Sequence, residues 1–174
     1  ISEEAVNEFS EGLKSDKAER FLSSLTYLSQ IYDLSENLLK EIREVITNSD
    51  FNHEFTGFPE VLKRIIDSGF IACAHKDLKL SSAIGDKIVS ASPWVNSEFT
   101  SGNIIQALLI AGAGFTEESD WIQWLESKLT EVAYRLPAGD NLKEFLFYVR
   151  ELKKVLNLKT GVFGKAEAIA SAAS

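Results

Sequence analysis

The sequence predicts an all-α fold of about eight or nine antiparallel helices. Apolar residues recur at steps of three and four along most of the chain, which is the spacing of one face of an α-helix. The composition agrees, because the 174 residues include only 3 Pro and 10 Gly and the β-branched residues do not form alternating runs. Hydrophobic residues make up 45% of the chain, enough for one continuous core, so we expect a single domain over residues 1–174.

The first third of the chain is predicted to contain three helices. Ser2 is a suitable N-cap for the first, which we expect to run to about Lys14. Asp16 is predicted to begin the second, with Glu19 three residues later in capping-box spacing, and Ser35 is predicted to cap the third. The buried stripe of the second helix is expected to comprise Phe21, Leu22, Leu25, Leu28, Ile31 and Tyr32.

The middle of the chain is predicted to add three helices after a loop. Residues 50–58 lack helical periodicity, and any subdivision of the domain is expected there. Pro59 suits a helix start, Asp77 is predicted to cap the next helix, and Pro93 is predicted to end it. Residues 103–115 are strongly apolar and rich in Ala and Gly, which favours a central, closely packed helix.

The last third is predicted to contain three further helices. Thr116 is expected to cap a helix that begins at Glu117, and Asp140 is expected to cap the most regular amphipathic helix of the chain. A short, Ala-rich helix is predicted over residues 163–173.

The interval between helices, about 20–24 residues, resembles the rhythm of HEAT-like and armadillo-like α-solenoids. That resemblance implies stacked antiparallel helix pairs of about 40–45 residues each. No signature residues repeat from pair to pair, so an irregular helical bundle stays open as the alternative arrangement.

Charge is distributed unevenly along the chain. Residues 1–60 contain 5 Lys and Arg against 13 Asp and Glu, whereas residues 61–174 contain 13 of each, so the whole net charge of −8 lies in the first third. An acidic surface repels phosphate groups, which disfavours nucleic acid and anionic membranes as ligands. The sequence therefore predicts an acidic N-terminal face, which is either a solvated surface or a docking site for a basic protein partner.

No combination of residues predicts catalysis, a metal site or a cofactor. Cys73 and His75 lie two residues apart and would point to different sides of a helix, and no second Cys or spaced His pair accompanies them. The flanking residues favour a buried Cys73 and a surface His75 near a helix end. Gly112 and Gly114 lack the Lys and Ser/Thr of a phosphate-binding loop, so we interpret them as small residues that let helices approach closely.

No apolar run is long enough to predict a membrane span. The single Cys excludes an intramolecular disulfide and agrees with a reducing compartment, so a cytoplasmic location is expected. Because the chain begins with Ile and contains no Met, we expect it to be a fragment or one domain of a larger protein.

Aromatic residues in two loops and on one helix are the candidate binding residues. Aromatic side chains on loops can anchor a partner or close the end of a helical core. Trp121 and Trp124 are three residues apart and share one side of a helix, where they can belong to the core or to a ligand surface. The candidates, with one loop histidine, are Phe51, His53, Phe55, Phe58, Trp94, Phe99, Trp121 and Trp124.

These observations lead to three functional hypotheses. The first is a protein–protein interaction or scaffold module that uses the acidic N-terminal face. The second is an apolar small-molecule or lipid-binding domain, with a dry pocket between the helix at 104–115 and the helix that carries Trp121 and Trp124. The third is an enzyme or the regulatory domain of one, with a cleft that gathers Cys73, His75 or Arg135.

Overall fold

The computed structural model describes residues 1–51 and 57–174, and these residues form nine α-helices and no β-strand. The predicted all-α fold class is therefore confirmed. Two short 3₁₀ turns, Ser92–Trp94 and Gly112–Gly114, follow the fifth and sixth helices. The helices are α1 (Glu3–Leu13), α2 (Ala18–Leu28), α3 (Glu36–Asn48), α4 (Phe58–His75), α5 (Leu78–Ala91), α6 (Ser101–Ala111), α7 (Glu118–Arg135), α8 (Asp140–Val155) and α9 (Gly164–Ala173).

Helices two positions apart in the chain pack against each other all the way from α1 to α9. The odd-numbered helices thus form one row and the even-numbered helices form a second. Among the described residues, helices further apart in the chain do not pack to a comparable extent. The order of helices along the chain is therefore their order in the stack, with α1–α3 at one end and α8 and α9 at the other.

Buried side chains from successive helices form one continuous core. Leu25 of α2, Ile42 of α3, Ile84 of α5, Leu108 of α6 and Val149 of α8 are all 0% exposed. Full burial of one such aliphatic side chain contributes about 1.5–3 kcal/mol. Four of them, Leu25, Ile42, Ile84 and Val149, lie at positions where helical spacing predicts an inward-facing residue.

Three predicted N-caps are confirmed by hydrogen bonds. The side chain of Ser2 accepts the backbone N–H of Ala5, that of Ser35 accepts the N–H of Leu38, and that of Asp77 accepts the N–H of Leu80 at 2.9 Å. Each satisfies a donor that the first turn of a helix leaves unpaired.

Other predicted helix ends are displaced. The N-cap of α2 is Lys17 rather than Asp16, and the helix stops at Leu28. The chain therefore leaves the helical period before Tyr32, which is 86% exposed instead of buried.

The helices of the second half also begin slightly differently from the prediction. Glu117 rather than Thr116 is the N-cap of α7, and Gly139, with φ +93°, precedes α8 in place of Asp140. The central helix starts before 103, because Thr100 forms a capping box with Asn103. This helix ends at Ala111, and the 3₁₀ turn Gly112–Gly114 follows it.

The junction between α4 and α5 is a tight Schellman turn. Lys76 adopts the left-handed conformation with φ +49°, and the backbone N–H of Asp77 donates to the carbonyl of Ala72 at 2.9 Å. Asp77 then caps α5 directly. Only Lys76 and Asp77 lie between the two helices, so the turn fixes their relative direction.

Candidate functional site

The first three helices carry a dense set of exposed carboxylates, which we call the acidic end. Within residues 1–51 the exposed cations are Lys14, Lys17, Arg20 and Lys40. Arg20 is engaged with Glu8 and Glu11 at 3.3 and 3.5 Å. The exposed carboxylates are Glu3, Glu4, Glu8, Glu11, Asp16, Glu19, Asp33, Glu36, Glu44 and Asp50.

Close packing holds α1 in place at the acidic end. A Cβ atom at Gly12 would lie 1.8 Å from Oγ of Ser24, so α1 and α2 approach each other more closely than any larger residue would allow. The hydroxyl of Ser10 donates to the carboxylate of Glu41 in α3 at 2.7 Å. These contacts turn the glutamates of α1 outward to solvent.

A groove between α2 and α4 opens beside these carboxylates, and we call it the Tyr27 groove. It has a volume of about 420 Å³ and is lined by Glu19, Leu22, Ser23, Thr26, Tyr27 and Lys63. Tyr27 is 60% exposed, and its ring lies 6.3 Å from that of Phe9. One wall of the groove is polar at Thr26, whose hydroxyl donates a hydrogen bond to the buried carboxylate of Asp67 at 2.8 Å.

The groove places the exposed ring of Tyr27 beside one carboxylate, that of Glu19, and one ammonium group, that of Lys63. An exposed phenol ring offers apolar area and an electron-rich face to a lysine or arginine side chain. Carboxylates such as those exposed at the acidic end attract cationic side chains over a longer distance. Sequence reasoning missed Tyr27, although Glu19, Ser23 and Tyr27 recur every four residues on the polar side of α2.

Three of the aromatic candidates close one side of the core. Phe51 and Phe99 are each 2% exposed, and the half-buried ring of Phe58 lies 5.7 Å from that of Phe99. The predicted candidates His53 and Phe55 lie outside the described residues.

Trp94 is the most exposed of the described candidates, at 40%. With Phe51, Lys87 and Arg135 it lines a groove of about 410 Å³ beside the end of α5. The structure thus brings Phe51 and Trp94 together, as two of the predicted candidates, at one surface.

Trp121 and Trp124 are half-buried and pack over the 3₁₀ turn Gly112–Gly114. A Cβ atom at Gly112 would lie 2.6 Å from Nε1 of Trp121 and 2.9 Å from the ring of Trp124. The ring of Phe115 lies 5.3 Å from that of Trp124. The indole rings themselves therefore occupy the space between α7 and the end of α6, where an apolar ligand was the alternative expectation.

The residues considered for catalysis are not gathered in one cleft. Cys73 is exposed on the last turn of α4, so the expectation of a buried thiol is wrong. Nε2 of His75 accepts the backbone N–H of Leu34 at 3.2 Å, and Nδ1 donates to the carbonyl of Ile71 at 3.0 Å. Both ring nitrogens are thereby occupied in backbone contacts, while Arg135 lies at the Trp94 groove.

Within residues 1–51 and 57–174, no group of three or more His, Cys, Asp or Glu side chains is arranged to hold a metal ion. None of the helices in this part of the chain has the length and apolar character needed to cross a membrane. Comparison with known proteins finds no match among protein-family profiles, curated proteins or solved structures.

Proposed function

We propose that the chain is a protein-interaction module that binds a basic partner at the acidic end. The single observation that carries this proposal is the exposed Tyr27, set at the acidic end in a groove with Glu19. The one cation that lines this groove, Lys63, is paired with Asp67 at 3.4 Å. An exposed aromatic residue inside a strongly charged surface is the usual composition of a binding anchor with an electrostatic rim.

The helical stack supports a scaffold role for this surface. Packing between helices two positions apart makes each helix a rigid support for the next, and we propose that the chain is a short α-solenoid of HEAT-like type. The exposed thiol of Cys73 supports a reducing compartment, so we place the module in the cytoplasm.

The proposal predicts that binding depends on salt and on Tyr27. Exposed charges are screened over about 10 Å at about 0.1 M salt and over about 3 Å at about 1 M. A basic partner held at the acidic end is therefore captured at low salt and released at high salt.

The experiment is a co-precipitation with identification by mass spectrometry at both salt concentrations. The test variant combines Glu19→Gln with Tyr27→Ser, and the matched control combines Glu117→Gln and Glu118→Gln, two exposed carboxylates away from the acidic end. We expect basic proteins with the wild type and the control but not with the test variant. Absence of any partner at either salt concentration would contradict the proposal.

A further inference from the structure

A second groove lies at the opposite end of the stack, on the outer face of α8. It has a volume of about 800 Å³ and reaches from α8 to the turn at 157–160. Its floor is apolar, formed by Leu146 and Leu158, and Phe147 at its edge is 57% exposed. We call it the α8 groove.

Local backbone structure builds the turn that forms one wall of this groove. Asn157 adopts the left-handed conformation with φ +54°, and the N–H of Leu158 donates to the carbonyl of Lys153 at 3.0 Å. The ammonium group of Lys153 donates to the carbonyl of Thr160 at 2.6 Å and to the carboxylate of Glu167 at 2.5 Å. The wall is therefore fixed to both α8 and α9.

The charge of the α8 groove is opposite to that of the whole chain. Four cationic side chains and one carboxylate line it. Arg150 is 57% exposed although it lies 3.5 Å from Glu167, and Lys154 is 74% exposed although it lies 3.1 Å from Glu151. Lys143 is exposed and forms no ion pair within the described part of the chain. The groove is thus a cationic surface on a protein of net charge −8.

The position of the groove indicates the shape of its occupant. On the side of α8 that meets α6, Tyr148 and Glu144 contact Gly102. At about 100° per residue, Lys143 and Arg150 are turned away from that side. The groove therefore lies where a further helix of the even-numbered row would pack.

We propose that the α8 groove binds an acidic amphipathic helix of a partner protein, with apolar side chains on Leu146, Phe147 and Leu158 and carboxylates against the exposed cations. Docking of an amphipathic helix in an apolar groove is a common mode of recognition. Charge complementarity selects an acidic helix, because the acidic end repels it while the α8 groove attracts it. With a basic partner at one end and an acidic one at the other, the chain bridges two proteins.

The test measures fluorescence anisotropy of a labelled peptide of about 18 residues, or five helical turns, with Glu on one face and Leu on the other. The full chain is titrated at low salt. A peptide of the same composition with Leu scattered around the helix tests the apolar contact. A single-stranded oligonucleotide of equal charge tests whether any anion binds.

We expect the amphipathic peptide to bind, and both Arg150→Glu and Phe147→Ser to weaken it by at least about tenfold. Lys79→Glu, at an exposed position on α5, is the matched control and leaves the affinity unchanged. Both groove residues are exposed, so circular dichroism is expected to show folded variants. Equal binding of the scattered peptide or of the oligonucleotide would overturn the proposal.

A second copy of the chain is the remaining occupant to exclude. Sedimentation velocity of the wild type alone at low salt is expected to show a monomer. A dimer that Arg150→Glu dissociates would assign the groove to self-association and overturn the proposal. If the acidic peptide does not bind the α8 groove, the proposal that a basic partner binds at Tyr27 is unaffected. The two proposals can therefore be contradicted independently.

Discussion

Nη1 of Arg43 lies 2.6 Å from Oδ2 of Asp77, and this ion pair joins α3 to the first turn of α5. The side chain of Arg43 is 15% exposed and that of Asp77 is 6% exposed. A hydrogen bond with Glu36 raises the pKa of Arg43; burial opposes the rise, and Asp77 adds to it. The pair therefore stabilises the attachment of the acidic end to the rest of the stack.

Removal of Asp77 is expected to destabilise the fold strongly. Asp77→Ala removes the N-cap of α5 and one of the two carboxylates that pair with Arg43, which keeps Glu36, for a loss of about 2–4 kcal/mol in the free energy of unfolding. Asp77→Asn keeps the cap and loses only the charge, so we expect a smaller loss. Urea unfolding followed by circular dichroism measures both, and a change below about 0.5 kcal/mol for Asp77→Ala would contradict the account.

Lys76→Gly is expected to stabilise the protein. Lys76 holds a left-handed conformation that costs a side-chain-bearing residue about 1 kcal/mol and costs glycine almost nothing. The control is Lys40→Gly at an exposed position inside α3, which is expected to lose about 1 kcal/mol. Thermal unfolding of the two variants should shift in opposite directions, and a lower midpoint for Lys76→Gly would refute this view of the turn.

Gly112→Ala tests the packing of the two tryptophans. The added Cβ would meet Trp121 and Trp124 at 2.6 and 2.9 Å, so the rings must move, at a cost of about 1–3 kcal/mol. Gly161→Ala is the matched control, because nothing lies within 4 Å of its added Cβ. The intrinsic fluorescence of tryptophan should change with Gly112→Ala alone. Equal stability of the two variants would show that the space over the 3₁₀ turn is not filled as described.

Local sequence signals predicted the helices and several of their ends, because the causes are local. The N-caps at Ser2, Ser35 and Asp77 each involve a side chain and a backbone N–H three residues later, which a sequence displays directly. The prediction of a buried Tyr32 is wrong because apolar periodicity does not show where the chain leaves a helix.

The candidate site depends on contacts between distant parts of the chain. The Tyr27 groove forms because α2 packs beside α4, which brings Lys63 next to residues about forty positions earlier. Cys73 was expected to be buried since its neighbours are apolar, yet only Ile71 and Ala72 point inward at that turn. Charge, by contrast, is additive along the sequence, so the acidic end was predicted from composition alone.

The affinity for a basic partner is expected to depend on the aromatic ring of Tyr27 rather than on its hydroxyl group. Tyr27→Phe keeps the ring and should retain most of the binding of a basic partner, whereas Tyr27→Ser should weaken it by about 1–2 kcal/mol or more. Tyr32→Ser, another exposed tyrosine of the acidic end, is the control for general loss of aromatic surface. Isothermal titration calorimetry with the purified partner measures the three affinities. Equal effects of Tyr27→Ser and Tyr32→Ser would remove Tyr27 as the anchor.

Hydrogen–deuterium exchange of the full chain, with and without the captured basic partner, tests the central claim most directly. The account predicts slower exchange in α2 and in the adjoining part of α4 that carries Lys63, and unchanged exchange in α8. Tyr27→Ser should abolish that protection at the same partner concentration. Protection confined to α8 or to the Trp94 groove, with none at the acidic end, would contradict the account.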